Sequence, residues 1–259
     1  MTKLQKKWQK KFFFHIGGIV LLILFMVWSL FWCDFSIVAL FRSAPRFAEF
    51  FTRMVPPDWS TSHLIIRSTV ETLMIAFAGT FIAVLISLPL GLLAAHNVSP
   101  PWISQSLKII LGFMRSIPLI VLAIVFVVAV GLGPFPGMLA IAFHSIGMLA
   151  KFYAEEFETA DQGIVNAVGG TGANRLQTLR FGLFPQSVPQ LTSFTIYRLE
   201  MNFRDATVLG LVGAGGIGYY IQLYVRGFQY DKVAVLLLMV ILVVTLLDQL
   251  TFWVRKLLR

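Results

Sequence analysis

Apolar residues do not alternate along this chain. They run in long blocks separated by short polar or proline- and glycine-rich segments. A membrane-crossing helix needs about 20 consecutive, mostly apolar residues, and the blocks predict six such helices, at 14–33, 66–94, 115–132, 136–152, 188–212 and 232–253. The second is long enough to tilt or to project beyond the bilayer, and the fifth is the most polar. Pro89 and Pro118 fall inside blocks and are expected to kink or interrupt their helices. Continuous apolar runs exclude a transmembrane β-barrel, whose strands alternate. The first run, Ile16 to about Cys33, is longer than a signal-peptide core and is followed by no small-x-small cleavage site, so it reads as a spanning helix. The expected fold is an all-α, polytopic transmembrane bundle of about six spans. Residues 1–64 form a basic segment, a first helix and an external loop, and 65–259 form the core.

Composition agrees with this pattern. Of 259 residues, 58% are hydrophobic and 13% charged, and the mean hydropathy is +0.81. A soluble domain carries about twice that charged fraction, so lipid must solvate much of this surface. The net charge of +9 raises the question of nucleic acid, but the basic run Lys3, Lys6, Lys7, Lys10, Lys11 leads directly into Phe12-Phe13-Phe14 and a long apolar stretch. It reads as a membrane anchor, not a nucleic-acid arm. Six spans place both termini on one side. The N-terminal lysines, Lys108, Arg115, Lys151, Arg175, Arg180 and the tail Arg255, Lys256, Arg259 fall there, which makes it the cytoplasmic side. Segment 34–64, with its Trp and Phe content, then lies outside, where it suits the membrane interface.

Several features carry no chemistry of their own. Cys33, the single cysteine, excludes an intramolecular disulfide and cysteine-based metal clusters. His15, His63, His96 and His144 are scattered without metal-ligand spacing. His63 and His96 are expected in loops, and His144 as a packing residue of the fourth span. No nucleophile or His/Asp/Glu cluster points to catalysis.

The fifth block is different. From Tyr197 it reads Tyr-Arg-Leu-Glu-Met-Asn-Phe-Arg-Asp-Ala-Thr, and ionisable residues within a span are expensive and functional by default. On a helix, Tyr197, Glu200, Arg204 and Thr207 share one face, with Glu200 and Arg204 spaced for an i,i+4 ion pair. Arg198, Asn202 and Asp205 share a neighbouring face. Two readings stand: the charges cancel to hold the bundle, or at least one arginine faces a pathway, where its fork of donors suits an oxyanion. Arg198 has no carboxylate at i±4 and is expected to be the freer. Downstream, Val212-Gly213-Ala214-Gly215-Gly216-Ile217-Gly218 has no preceding strand and no following Gly-Lys-Ser/Thr, so it is not a nucleotide loop. Its glycines permit sharp turns and let the chain line a cavity.

The longest internal polar stretch is 153–187. It opens with Glu155, Glu156, Glu158 and Asp161, breaks at glycine, continues as a short amphipathic helix from Arg175 to Phe181, and is expected to stop at Pro185. Asn166-Ala167-Val168, Gly172-Ala173 and Phe184-Pro185 are spaced as in the coupling loop of binding-protein-dependent ABC importer permeases, which the chain resembles. Asn166 stands where that family has glutamate, and Val168 where it has alanine. Thr171-Gly172-Ala173-Asn174, Pro185-Gln186, Arg204-Asp-Ala-Thr, the 213–218 glycines, Arg226-Gly-Phe-Gln229, Arg115-Ser-Ile-Pro118 and Val130-Gly-Leu-Gly-Pro-Phe135 resemble the phosphonate-type subfamily over about 65–255.

The resemblance implies a type I ABC importer permease fold, working as a homodimer in the bacterial cytoplasmic membrane. It implies two ATPase subunits that hold ATP and Mg and an external substrate-binding protein, with no cofactor on this chain. Asn166, Ala167, Gly172, Ala173, Arg175 and Pro185 would meet the ATPase. Tyr197, Arg198, Glu200, Asn202, Arg204 and Thr207 would line the path of a phosphonate, phosphite or phosphate. A permease for methionine or a quaternary amine is the nearest alternative. An ion-coupled secondary transporter is a further one, but it would carry internal repeats, and none is evident.

Overall fold

The computed structural model describes residues 3–257, with side chains from 15 to 256. The side chains of the five N-terminal lysines and all of Arg259 therefore lie outside the described residues. Every regular element among the described residues is helical. The chain divides into two compact units, Met1–Thr52 and Arg53–Arg259.

The first unit holds α1 (Lys3–Trp32) and α2 (Ile37–Thr52). In α1, His15–Trp32 is apolar enough to cross a membrane. The second unit contains α3 (Ser62–Ala94), α4 (Pro101–Ser116), α5 (Leu119–Val130), α6 (Pro134–Thr159), α7 (Gln162–Gly170), α8 (Arg175–Thr178), α9 (Phe184–Gly210), α10 (Gly216–Arg226) and α11 (Tyr230–Leu257). A π-helical turn, Leu179–Leu183, joins α8 to α9.

At the centre of this unit, α3 packs along α6. The buried side of α3 is a stripe of small residues, including Ser68, Thr72, Ala76, Gly79, Thr80, Ala83, Ser87, Gly91 and Ala94. Small residues let helix backbones approach closely where lipid supplies no hydrophobic drive between helices. A Cβ on Gly79 would lie 2.6 Å from Ile141 Cγ2, and one on Gly91 would lie 2.7 Å from Tyr153 Cβ. One buried cluster forms around Leu149, Tyr153, Phe157 and Leu183, and a second around Ile141, Phe203 and Leu209.

The spans differ from expectation in three places. Among the described residues, four helices are long and apolar enough to cross: α1, α3, α6 and α11. The expected third span, 115–132, is not one helix. α4 and α5 meet at an angle of 81° and together pass as a fifth, broken span. Ile117 is extended (φ −77°, ψ 121°), as a residue before proline prefers to be, and Pro118 opens α5 without an N–H to continue the turn. At 12 residues, α5 is about 18 Å long and too short to span alone. Pro89, by contrast, sits inside an unbroken α3, packed against α6 on both sides of it. The expected fifth span is found as α9, a single helix of 27 residues. That is about 40 Å, but its Pro, Gln, Ser and Thr residues together with its charges keep it out of the apolar set.

α6 also runs seven residues beyond the expected end at 152, so Glu155, Glu156 and Glu158 belong to its last turns and not to a loop. Glu158 accepts from Lys108 Nζ at 2.6 Å and from the His96 backbone N–H at 2.8 Å, fixing the α3–α4 connection. His63 lies in the first turn of α3, not in a loop.

Candidate functional site

The polar residues of α9 separate into two groups, as their helical spacing requires. One group is buried. Arg198 is 4% exposed and Asn202 fully buried. Arg198 Nε donates to Ser145 Oγ at 3.0 Å, and Nη2 donates to Asp205 Oδ2 at 3.4 Å. Asn202 Nδ2 donates to Thr80 Oγ1 at 2.7 Å and to Ser145 Oγ at 3.0 Å. The buried polar groups of Thr80, Ser145, Arg198 and Asn202, from α3, α6 and α9, thus satisfy one another, with Asp205 at the partly exposed edge. Mutual satisfaction is the condition for a buried polar network to be stable.

The second group lies at the surface of this unit. Arg204, 43% exposed, donates through Nη2 to Glu200 Oε1 at 2.7 Å and to Asp248 Oδ1 of α11 at 3.0 Å. Tyr197 is exposed, and the Arg255 guanidinium of α11 stands 5.7 Å from its ring centroid. Thr207 bonds the Phe203 carbonyl at 3.1 Å. The expectation that Arg198 is the freer arginine is therefore corrected. Asp205, two turns along the same face, reaches it, and α3 and α6 close over it, while Arg204 keeps an accessible side. Helical spacing alone could not say which face the bundle covers.

In the cytoplasmic-loop candidate, Asp161 caps α7, its Oδ1 accepting the Gly163 N–H at 2.7 Å. Gly172 turns with φ +85°, a conformation glycine adopts without strain. Asn174 and Gln177 form a capping box on α8. Asn166, Ala167, Gly172, Arg175 and Pro185 are exposed, and Ala173 is half-buried. Arg175 Nη2 bonds the Val98 carbonyl of the α3–α4 connection. Pro185 is not a stop. It lies in the first turn of α9, where a missing N–H has no intrahelical partner to lose, so α8, the π turn and α9 run on as one continuous helical path. Gln186 ties that path back, accepting the Asp161 N–H at 2.9 Å and donating to the Gly182 carbonyl at 2.6 Å. Ile164, Leu176 and Phe181 point outward at 47%, 78% and 61% exposure, an apolar surface on an otherwise polar segment.

The glycine segment 213–218 packs tightly. Gly213, Gly215 and Gly216 have φ of +90°, +76° and +71°. A Cβ on Gly218 would lie 1.9 Å from the Thr207 carbonyl oxygen, so α9 and α10 meet backbone to backbone. Glu71 and Thr72 of α3 accept the N–H groups of Gly216 and Ile217. Glu71, Thr72, Thr80 and Ser145 escape a reading by charge clusters. For Glu71 a signal was present: it is a carboxylate inside a predicted span.

Residues 87–259 match the model of the family described as binding-protein-dependent transport system inner membrane component. The chain belongs to this family. Among its relatives, a phosphite transport system permease protein, PtxC of Stutzerimonas stutzeri, is 40% identical over 93% of this chain and 86% of its own length. The phosphate-import permease protein PhnE of Mycolicibacterium smegmatis is 36% identical over 87% of this chain and 42% of its own length. A match to 93% of the chain takes in most of the first 64 residues, beyond the 65–255 expected. In fold, the chain is similar to the inward-facing MetNI methionine ABC transporter, with a TM-score of 0.70 at 22% identity, covering 78% of this chain and 99% of that one. As an inner membrane component of this family with several apolar helices, the protein is a multi-pass membrane protein. Its family region contains the buried Arg198 network apart from Thr80, the Arg204 cluster and the whole α7–α9 path.

Proposed function

We propose that this chain is the permease subunit of an ATP-driven importer that carries a small phosphorus oxyanion, namely phosphite, phosphonate or phosphate, across the bacterial cytoplasmic membrane. One observation carries the substrate class. The relative named for phosphite transport is 40% identical over 93% of the chain, against 29% over 64% for a relative named for D-methionine transport.

In this reading α9 crosses as the fifth of six spans and both termini are cytoplasmic. Two copies of the chain enclose the pathway, with Tyr197, Glu200, Arg204 and Thr207 toward it and Arg198 and Asn202 holding the helix that carries them. An external binding protein delivers the anion. Two ATPase subunits hold ATP and Mg, and this chain binds no cofactor and performs no catalysis. The exposed Ile164, Leu176 and Phe181, with Asn166, Ala167, Gly172, Ala173, Arg175 and Pro185 around them, form the surface that an ATPase groove would receive. Because α8 continues into α9, a displacement there reaches the charged stretch without crossing a loop.

The test is ATP-dependent uptake into proteoliposomes holding the permease, its ATPase and its binding protein. Labelled phosphite or methylphosphonate should accumulate and methionine should not. Accumulation of methionine with none of the oxyanions would overturn the assignment.

A further inference from the structure

Resting on the oxyanion reading above, we propose a second oxyanion station built around Arg255, in the cleft between α9 and the end of α11. Three arginines border the polar side of α9, and they differ in what they hold. Arg198 is committed to Asp205, and Arg204 is shared by Glu200 and Asp248. Arg255 makes no ion pair among the described residues, and its buried Nε has no hydrogen-bond acceptor there. Its guanidinium stands over the Tyr197 ring, an arrangement that fixes the cation in place while leaving its N–H fork uncommitted.

Arg255 lines a half-open cavity of about 450 Å³ together with Phe152, Gln190, Ser193, Phe194 and Tyr197. No carboxylate is among the lining residues; Glu200, about one turn beyond Tyr197, is the carboxylate that feels the Arg255 charge from outside the wall. The Gln190 amide supplies a neutral donor beside the cation, while the Ser193 hydroxyl donates to the Pro189 carbonyl, and Phe152 and Phe194, with ring centroids 5.2 Å apart, form an apolar side. One fixed cation, a neutral amide donor and an apolar wall make a site that orients a small tetrahedral oxyanion without holding it through many charges. Gln190 to Tyr197 lie in the half of α9 that follows the α7–α8 segment. The station is thus inward of the Arg204 cluster, the last cationic contact before release. The same chemistry would also accept the phosphate of a lipid headgroup.

The full-length permease, in zwitterionic nanodiscs, is titrated against phosphite and methylphosphonate while the ³¹P line width of each is followed. Wild type should broaden both lines. Arg255→Gln should bind at least fivefold more weakly, and Arg255→Lys should retain part of the effect because the cation remains. In phosphatidylglycerol nanodiscs, loss of broadening for wild type, with its retention in zwitterionic lipid, would assign the same site to headgroup competition. Wild-type broadening by Arg255→Gln, or none by wild type in either lipid, overturns the station. Uptake by the whole complex separates the two claims. If Arg255-dependent binding is seen while the complex carries no oxyanion, the transport reading fails and the site stands.

Discussion

Glu71 of α3 accepts the backbone N–H of Gly216 through Oε1 at 2.9 Å and so caps the first turn of α10 from a different helix. The negative carboxylate meets the positive end of the helix dipole, and Thr72 satisfies the next donor at 2.8 Å. Glu71→Ala should lower stability by about 1–2 kcal/mol, the usual loss for an N-cap contact. Glu71→Gln, which keeps an acceptor oxygen, should lose less. Thermal unfolding in detergent checks the order. Equal melting temperatures for wild type and Glu71→Ala would remove the cap from the account.

The two arginines of α9 should respond in opposite ways. The Arg198 side chain is 5% exposed and that of Asp205 30%, so Arg198→Gln removes the buried end of a half-buried pair together with its bond to Ser145, and folded yield should fall. The Arg204–Asp248 pair is exposed on both sides, at 43% and 50%, and such a pair contributes about 0–1 kcal/mol. Glu200 is 11% exposed and depends more on the cation. Arg204→Gln should lose less folded protein than Arg198→Gln and transport poorly. Size-exclusion yield and uptake per folded permease test both. A well-folded, inactive Arg198→Gln beside a fully active Arg204→Gln would reverse the roles.

Gly172 separates conformation from charge. A Cβ there meets nothing within 4 Å, so substitution is resisted only by φ +85°, a region that Asn and Asp tolerate better than other side chains. Gly172→Asn should keep the ATPase bound, and Gly172→Asp should release it while the permease still inserts, because a charge enters the docking surface. Co-purification measures this directly, and wild-type ATPase recovery with Gly172→Asp would argue against docking at this turn.

Gly218 and Gly112 are a matched pair of glycine-to-alanine tests. In Gly218→Ala the new methyl meets the Thr207 carbonyl oxygen, so α9 and α10 must separate and folded yield should collapse. Gly112, inside α4 with open space around it, should gain about 0.4–1 kcal/mol as alanine from reduced unfolded-state entropy. Melting temperatures of the two variants should move in opposite directions.

The apolar blocks determined the helical class and the approximate positions of α1, α3, α6 and α11, because a backbone in lipid must satisfy its own hydrogen bonds within each segment. Spacing also determined the Glu200–Arg204 pair and the turn at Gly172, which depend only on local geometry. Long-range partners were invisible to both. Nothing in the sequence around Arg198 indicates Ser145, 53 residues away, and nothing near Gly216 indicates Glu71, 145 residues away. Pro118 and Pro185 carry the same local rule. Only the tertiary structure made one the corner between α4 and α5 and the other the first turn of an uninterrupted helical path. Which arginine is buried was decided by how α3 and α6 cover α9, since a helix presents all its faces until another helix packs on one of them.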